Sequence, residues 1–382
     1  MHVNDSKTTD TKALCLLVAM EMSLNTWRLA MAVEGQPKKR VKTVEAGHYL
    51  ELVQAVADAK ERFTLPEATP VVFCYEAGRD GFYPYRRLTE LGHEVWVIDS
   101  ASIEVSRKKR RAKSDGIDAD KLSELMQRQA RGEKALRMVR VPPLEVEDQR
   151  LLPREREGLL EDLRRVRNRI GSLLFTQGYR EVPKSALGLR AWLKVPRELG
   201  AQLRERLHRD IERLAFLEEQ FQAVGKAMLL KVREERKTAM AQVAGSLMQL
   251  CGIGWVGAWV LASEIYGWRT FRNRREVGGA LGLTPTPYNS GGDEREQGIS
   301  KAGNARARAM LVELAWLWLR YQPDSALSQW FLRRFSGGGK RLRRIGIVAL
   351  ARRLGVALCP EVSKDVAQGV VPEGARLKAV KA

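Results

Sequence analysis

The segment that most constrains the fold is residues 13–98, where apolar runs too short for core helices alternate with turns. Ala13–Met20 is an apolar run that predicts a strand. Asn25 sits in a turn, Thr26–Val33 predicts a second strand, and the alternating Lys38–Ala46 a third. Gly47–Phe63 carries Leu50, Val53, Val56 and Ala57 at helical spacing, and Pro66 and Pro70 end it. Val71–Glu76 is a buried strand, Phe82–Leu91 a helix, His93–Ile98 a fifth strand, and a further helix covers Asp115–Gln129. Strands joined by short turns pair antiparallel, whereas strands separated by helices pair parallel. The expectation is one mixed sheet with helices packed on it.

That order of elements is the order of an α/β RNase H-like fold, assigned to residues 13–143. Residues 144–245 change character and become rich in Arg, Glu and Leu. Leu152, Leu159, Leu163, Val166, Ile170 and Leu173 form one seam, and Leu207, Ile211, Leu214, Leu217, Phe221, Val224 and Met228 another. Such seams suit either a helical coiled-coil arm or a helical linker packed on its own domain. Residues 246–358 read as a mainly α C-terminal domain, with 1–12 and 360–382 as flexible tails.

The 66 Lys and Arg against 46 Asp and Glu leave a net charge of +20, which calls for a polyanionic partner. An anionic membrane fits poorly, because no apolar run approaches the roughly 20 residues of a bilayer span. Cys15, Cys74, Cys251 and Cys359 are scattered, with no Cys-x-x-Cys pair, as expected of small buried residues in a reducing cytoplasm. The four histidines are dispersed too, so any metal is expected on carboxylates.

Four acids stand out. Glu21 directly follows the first predicted strand, Glu76 ends the fourth, and Asp115 and Asp118 are three apart, which places them on one helical face. Singly, each has an ordinary reading: a loop glutamate, or aspartates favoured at a helix N-terminus. Jointly, they suit a pair of Mg²⁺ or Mn²⁺ ions engaged in phosphodiester chemistry.

The strings Tyr75-Glu-Ala-Gly-Arg-Asp-Gly-Phe-Tyr83 and Lys113-Ser-Asp-Gly-Ile-Asp-Ala119 resemble the motifs of the DEDD transposases of bacterial insertion sequences, the insertion-sequence 110 family. The resemblance spans nearly the whole chain and implies a RuvC-like N-terminal domain. It makes Glu76, Asp115 and Asp118 the second, third and fourth metal acids. The first acid of that family is usually Asp; here Val18-Ala-Met-Glu-Met-Ser23 puts Glu21, one methylene longer, in its place.

Gly282-Leu-Thr-Pro-Thr-Pro-Tyr-Asn-Ser-Gly-Gly292 and Gly298-Ile-Ser-Lys-Ala-Gly-Asn304 follow far downstream. Read alone, Asn289-Ser-Gly-Gly is a turn. The resemblance places a nucleophilic serine at Ser290, with Ser300 as the second position, and a phosphoserine intermediate on DNA. Leu250-Cys-Gly-Ile-Gly-Trp-Val-Gly-Ala258 resembles a helix-hairpin-helix turn in which Gly252 and Gly254 admit a phosphate backbone, although Trp255 stands where Pro is usual. Arg295, Lys301 and Arg306 are candidate phosphate holders, as are Arg107, Lys108, Lys109, Arg110, Arg111 and Lys113 ahead of the Asp115 helix. Lys340, Arg341, Arg343 and Arg344 belong to a further acid-free cluster with Arg333, Arg334, Arg352 and Arg353. A solvated charged face is the ordinary reading of each such run.

The resemblance further implies donor and target DNA as partners, a structured bridge RNA that pairs with both, a homodimer or homotetramer, and a cytoplasmic, nucleoid-associated site of action. The alternative function is a metal-dependent junction-resolving nuclease in which Ser290 is structural.

Overall fold

The computed structural model describes residues 14–99, 115–234, 238–290, 293–359 and 372–379, and at 115–118, 234, 287–290 and 293–297 it describes the backbone alone. Arg107–Lys113 and the first twelve residues therefore lie outside the described residues. The chain divides into two compact units, 1–141 and 142–382.

The first unit holds a five-stranded sheet in the order β3-β2-β1-β4-β5. Its strands are β1 (Leu16–Met22), β2 (Thr26–Val33), β3 (Lys39–Glu45), β4 (Val71–Glu76) and β5 (Glu94–Ile98). The first three pair antiparallel, and β1–β4 and β4–β5 pair parallel, as the connection lengths predict. Central β1 is apolar on both sides because both sheet faces are covered. Leu16, Val18 and Met20 pack with α1 (Tyr49–Arg62) and α2 (Tyr83–Glu90). Leu17 and Ala19 pack with α3 (Asp115–Ala130) on the other face.

Two details differ from the sequence reading. The first strand runs on to Met22, so Glu21 lies inside β1, opposite Arg28 of β2, rather than just after the strand. The buried stripe of α1 is Leu52, Ala55, Val56 and Ala59, while Leu50 and Val53 face solvent. The alanines let the helix lie close to the sheet, and that closeness outweighs the two larger residues.

The second unit begins with α4 (Leu144–Gln149), α5 (Leu151–Phe175), α6 (Ala186–Lys194) and α7 (Ala201–Glu234). Both predicted seams are real, and each is shared between two cores. Leu163, Val166, Ile170 and Leu174 of α5 meet Leu207, Ile211 and Leu214 of α7 around α6. Leu152 and Leu159 at the other end of α5, with Val224, Met228 and Val232 of α7, join the core of the C-terminal helices. The two long helices therefore run antiparallel.

That C-terminal core is built from α8 (Ala239–Met248), α9 (Trp255–Leu261) with a π-helical turn at Ala262–Tyr266, α10 (Arg274–Ala280), α11 (Ala305–Tyr321), α12 (Ala326–Phe335) and α13 (Lys340–Ala357). A hairpin of β6 (Pro285–Ser290) and β7 (Asp293–Ile299) interrupts the helices. Part of the expected C-terminal tail is ordered against them. Arg376 accepts from the Cys251 N–H at 3.0 Å through its carbonyl and donates its own N–H to Gln322. Leu377 bridges to Leu250.

Asp210 shows how α5 and α7 are fixed. Its carboxylate is buried and takes two hydrogen bonds from Arg169 at 2.8 and 3.1 Å, with further ones from Arg206 and Arg213 at 3.2 Å. Burial alone would raise its pKa, but these bonds and charges outweigh it and hold the carboxyl below its usual range. Removing the buried acid breaks four hydrogen bonds at once and leaves three partly exposed guanidinium groups crowded together with no counter-charge, so Asp210→Ala is expected to cost about 2 kcal/mol or more in urea unfolding. Arg206→Gln, at a half-exposed partner, is expected to cost under about 1 kcal/mol. Equal losses in the two variants would contradict this assignment.

Candidate active site

The sheet brings two of the predicted acids together. The parallel register of β1 with β4 runs from Leu16 with Val71 to Met20 with Tyr75, and Glu21 and Glu76 are the next residue on each strand. Neighbouring strands lie about 4.8 Å apart. Side chains alternate between faces, so Glu21, two residues past Ala19, and Glu76, two past Cys74, share the face that α3 covers. Tyr75 points to the other face, where its hydroxyl donates to the Gly81 carbonyl at 3.2 Å and ties down the loop after β4.

The direction of α3 brings its start toward the same end of the sheet. Gln127, near its C-terminus, donates to the Val33 carbonyl at 2.9 Å and accepts from the Gly35 N–H at 2.9 Å. Val33 pairs with Leu16, so this is the end where β1 begins. A 16-residue helix rises about 24 Å, comparable with a seven-residue strand. Its first turn, with the backbone of Asp115 and Asp118, thus heads toward the end where β1 and β4 finish. The donor chemistry, carboxylates only, suits a hard divalent cation. Among the described residues no three His, Cys, Asp or Glu side chains form a metal-sized group; the side chains of Asp115 and Asp118 fall outside that set. Arg28, opposite Glu21 and on its face, is a protein cation that sequence reasoning did not pair with it.

In the second unit, Ser290 is the last residue of β6 and pairs with Asp293 at the tip of the hairpin. Residues 291 and 292, which join the strands, lie outside the described residues. The base of the hairpin is locked. The Ser300 N–H donates to the Thr284 carbonyl at 2.8 Å, and the Ser300 and Thr284 hydroxyls are 3.2 Å apart. Ser300 is therefore part of the anchor rather than the tip. Gly303 has φ +137°, and a Cβ there would come within 2.5 Å of the Ala280 carbonyl, so only glycine lets 298–304 lie against 278–284.

This anchor ends in a buried charge cluster. Asn304 caps α11 by accepting from the Ala307 N–H at 2.9 Å and donates to the Glu264 carboxylate at 2.8 Å. Glu264 sits in the π-helical turn and is 2% exposed. Arg154 of α5 grips it through two bonds at 3.0 and 3.1 Å, and Arg150 donates to the adjoining Ser263 carbonyl at 3.0 Å. Burial by itself raises the Glu264 pKa, but the bonds from Arg154 and Asn304 and the charges of Arg154 and Arg150 hold it below the usual range. Sequence reasoning missed this residue. Its signal was a lone acid inside the apolar run Trp255–Tyr266.

The other candidates are scattered over the second unit. Gly252, at φ +88°, turns the chain between α8 and α9 against Tyr321 and Leu317, and Gly254 caps α9. The Lys378 ammonium holds the carbonyls of Met248 and Ile253 around that turn, at 2.6 and 2.7 Å. Arg306, read as a phosphate holder, is paired with Glu157 at 2.7 Å. Lys301 is exposed, and Arg295 is described by backbone alone, in β7. Lys340, Arg341, Arg343 and Arg344 crowd the first turn of α13, all exposed, with no acid and no side-chain cap. Cations at the positive end of a helix dipole are unfavourable by about 0.3–1 kcal/mol each, a cost that a bound polyanion would relieve.

Comparison with known proteins places the chain among transposases of insertion sequences. Residues 244–331, the stretch that includes the hairpin, match the family model described as Transposase IS116/IS110/IS902 family. "Putative transposase y4rJ" of Sinorhizobium fredii is 38% identical over 95% of this chain and 94% of its own length. The transposase for insertion sequence element IS1328 of Yersinia enterocolitica is 26% identical over 70% of this chain and 77% of its own length. The transposase for insertion sequence element IS1111A of Coxiella burnetii is 26% identical over 62% of this chain and 63% of its own length.

Because the Glu264 carboxyl titrates lower folded than unfolded, its contribution is complete above the ordinary glutamate pKa of about 4.3 and is lost as pH falls through the folded value. Urea unfolding from pH 7 to pH 3 is expected to show a steeper acid loss in the wild type than in Glu264→Gln, which is already weaker at pH 7. Parallel pH profiles would contradict the assignment.

Proposed function

Because this chain belongs to the IS110/IS116 family of transposases, we propose that it cuts and rejoins DNA with a carboxylate-held divalent metal site and a serine nucleophile. The observation that carries this reading is the pairing of β1 with β4, which sets Glu21 and Glu76 side by side on the face that α3 covers. With sheet order β3-β2-β1-β4-β5, it supports an RNase H-like, RuvC-like first unit.

Glu21, Glu76, Asp115 and Asp118 would hold Mg²⁺ or Mn²⁺, which supplies Lewis-acid stabilisation of phosphoryl oxygens when bound. The protein's own part is to position a DNA phosphate and the attacking hydroxyl. The Ser290 Oγ forms a new ester bond to phosphorus. One phosphorus–oxygen bond to a deoxyribose breaks, and the sugar oxygen that leaves takes up the proton that the serine gives away. The ester count is unchanged, so a second DNA hydroxyl can reverse the step onto a new partner without an external energy source. Gly252, Gly254, Lys301 and the first turn of α13 would bind nucleic-acid backbone, which fixes position but reads no sequence. Target choice would then belong to a bridge RNA paired to donor and target DNA, with the protein reading shape and charge. Acting on two duplexes implies at least a dimer.

Glu76→Gln and Asp115→Asn are each expected to slow Mg²⁺-dependent strand cleavage by at least about a hundredfold, the loss of a metal contact worth several kcal/mol, while DNA binding stays intact. Glu21→Asp is expected to keep activity and Glu21→Ala to lose it. Cleavage at the wild-type rate in Glu76→Gln or Asp115→Asn would refute the metal assignment.

A further inference from the structure

The second unit contains a cavity of about 1440 Å³ between the start of α10, the base of the β6–β7 hairpin, α12 and α13. It exceeds the roughly 300–1,000 Å³ typical of a single small ligand. Arg274, Arg275, Arg334, Arg344, Arg352 and Arg353 line it, and no lining side chain is an acid, an amide or a hydroxyl. Between the arginines its wall is apolar. Leu342 and Ile345, 40% and 49% exposed, offer hydrocarbon to solvent at one edge, and Pro285 and Ile299 of the hairpin form another part. Arg353 lies 4.3 Å over the Trp330 ring, a flat cationic platform in the wall.

We propose that this cavity binds an unpaired stretch of DNA strand, with bases on the apolar wall and phosphates on the arginines. The proposal rests on the reading of the chain as a DNA-cutting enzyme. Six cations with no acid select a polyanion. A duplex keeps its base faces stacked inside and offers phosphate, sugar and base edges, so it would leave most of the apolar wall unused. An unpaired strand presents base faces, which pack on aromatic rings, guanidinium planes and hydrocarbon. The wall favours DNA over RNA, because every 2′-hydroxyl would meet a surface whose side chains include no hydrogen-bond acceptor. Its position is consistent with use: the wall includes the base of the hairpin whose tip carries Ser290. Strand exchange exposes unpaired nucleotides, and this site would retain them.

The test uses the full chain, in EDTA, with a fluorescein-labelled single strand of about a dozen nucleotides, its blunt duplex, and RNA of the same sequence. Arg334→Glu combined with Arg353→Glu changes two exposed side chains of the wall, neither of them in the first turn of α13. This variant is expected to weaken single-strand binding about tenfold and duplex binding by no more than about threefold. Photocrosslinking of an iodouracil-substituted strand is expected to label peptides of 327–357. Unchanged single-strand affinity, equal losses for strand and duplex, or crosslinks confined to other regions would overturn the proposal. Tighter binding of the RNA at the same peptides would overturn the choice of DNA. The assay needs neither metal nor serine, so its outcome is separable from that of the reaction. Normal metal-dependent cleavage with unaltered single-strand binding in the double variant would remove this inference alone. Crosslinks in the cavity from a chain that cuts no DNA would remove the reaction and leave the site.

Discussion

The parallel pairing of β1 with β4 is the constraint that sets Glu21 beside Glu76 and orders the rest of the first unit's sheet around them. Side chains on a strand alternate with a period of two, so a slip of one residue would turn Glu76 toward α1 and α2, away from Glu21. The slip is opposed by the core. Val71, Phe73 and Tyr75 are buried on one face, Val72 and Cys74 on the other, and neither set can change sides without repacking both. Glu21 and Glu76 inherit their position from the apolar residues that precede them on each strand. Arg28 adds a second element, since it stands opposite Glu21 in the β1–β2 register.

The second unit solves a different problem with a buried charge. A hairpin with its serine at the tip needs a rigid base, and Glu264 supplies it at a distance. Its carboxylate joins Arg154 of α5 to Asn304, and Asn304 in turn caps α11 and closes the segment that pins β7 to Thr284 and Ala280. Burying an acid is costly, and here two arginines and an amide offset that cost. The π-helical turn that carries Glu264 fits a site where regular helical bonding gives way to a side chain that must point inward.

Much of this was legible from the sequence. Among the described residues of the first unit, the five strands and the three helices packed on them followed from apolar periodicity and turn residues, and the connection lengths fixed which pairs are parallel. What stayed hidden depended on contacts between distant segments. The buried face of α1 was misread because periodicity admits two overlapping stripes, and the sheet selected the one with small residues. Glu264 was passed over because a single acid in an apolar run has no motif, and its partners lie 110 and 40 residues away. Residues 372–379 resemble a tail in composition but are held by Gln322 and by the turn at Gly252. The arginine-lined cavity is drawn from five elements, so no local charge count reveals its apolar wall.

The central claim is that the serine at the hairpin tip becomes joined to DNA during a metal-dependent reaction. It is tested most directly by incubating the full chain with donor and target DNA, the proposed bridge RNA and Mg²⁺, denaturing the mixture, and mapping the DNA-linked peptide by mass spectrometry. The account predicts one peptide spanning β6 and β7 with the phosphate on Ser290, formed only with the metal present. Completed strand exchange with no covalent link, or with the link at another residue, would contradict it.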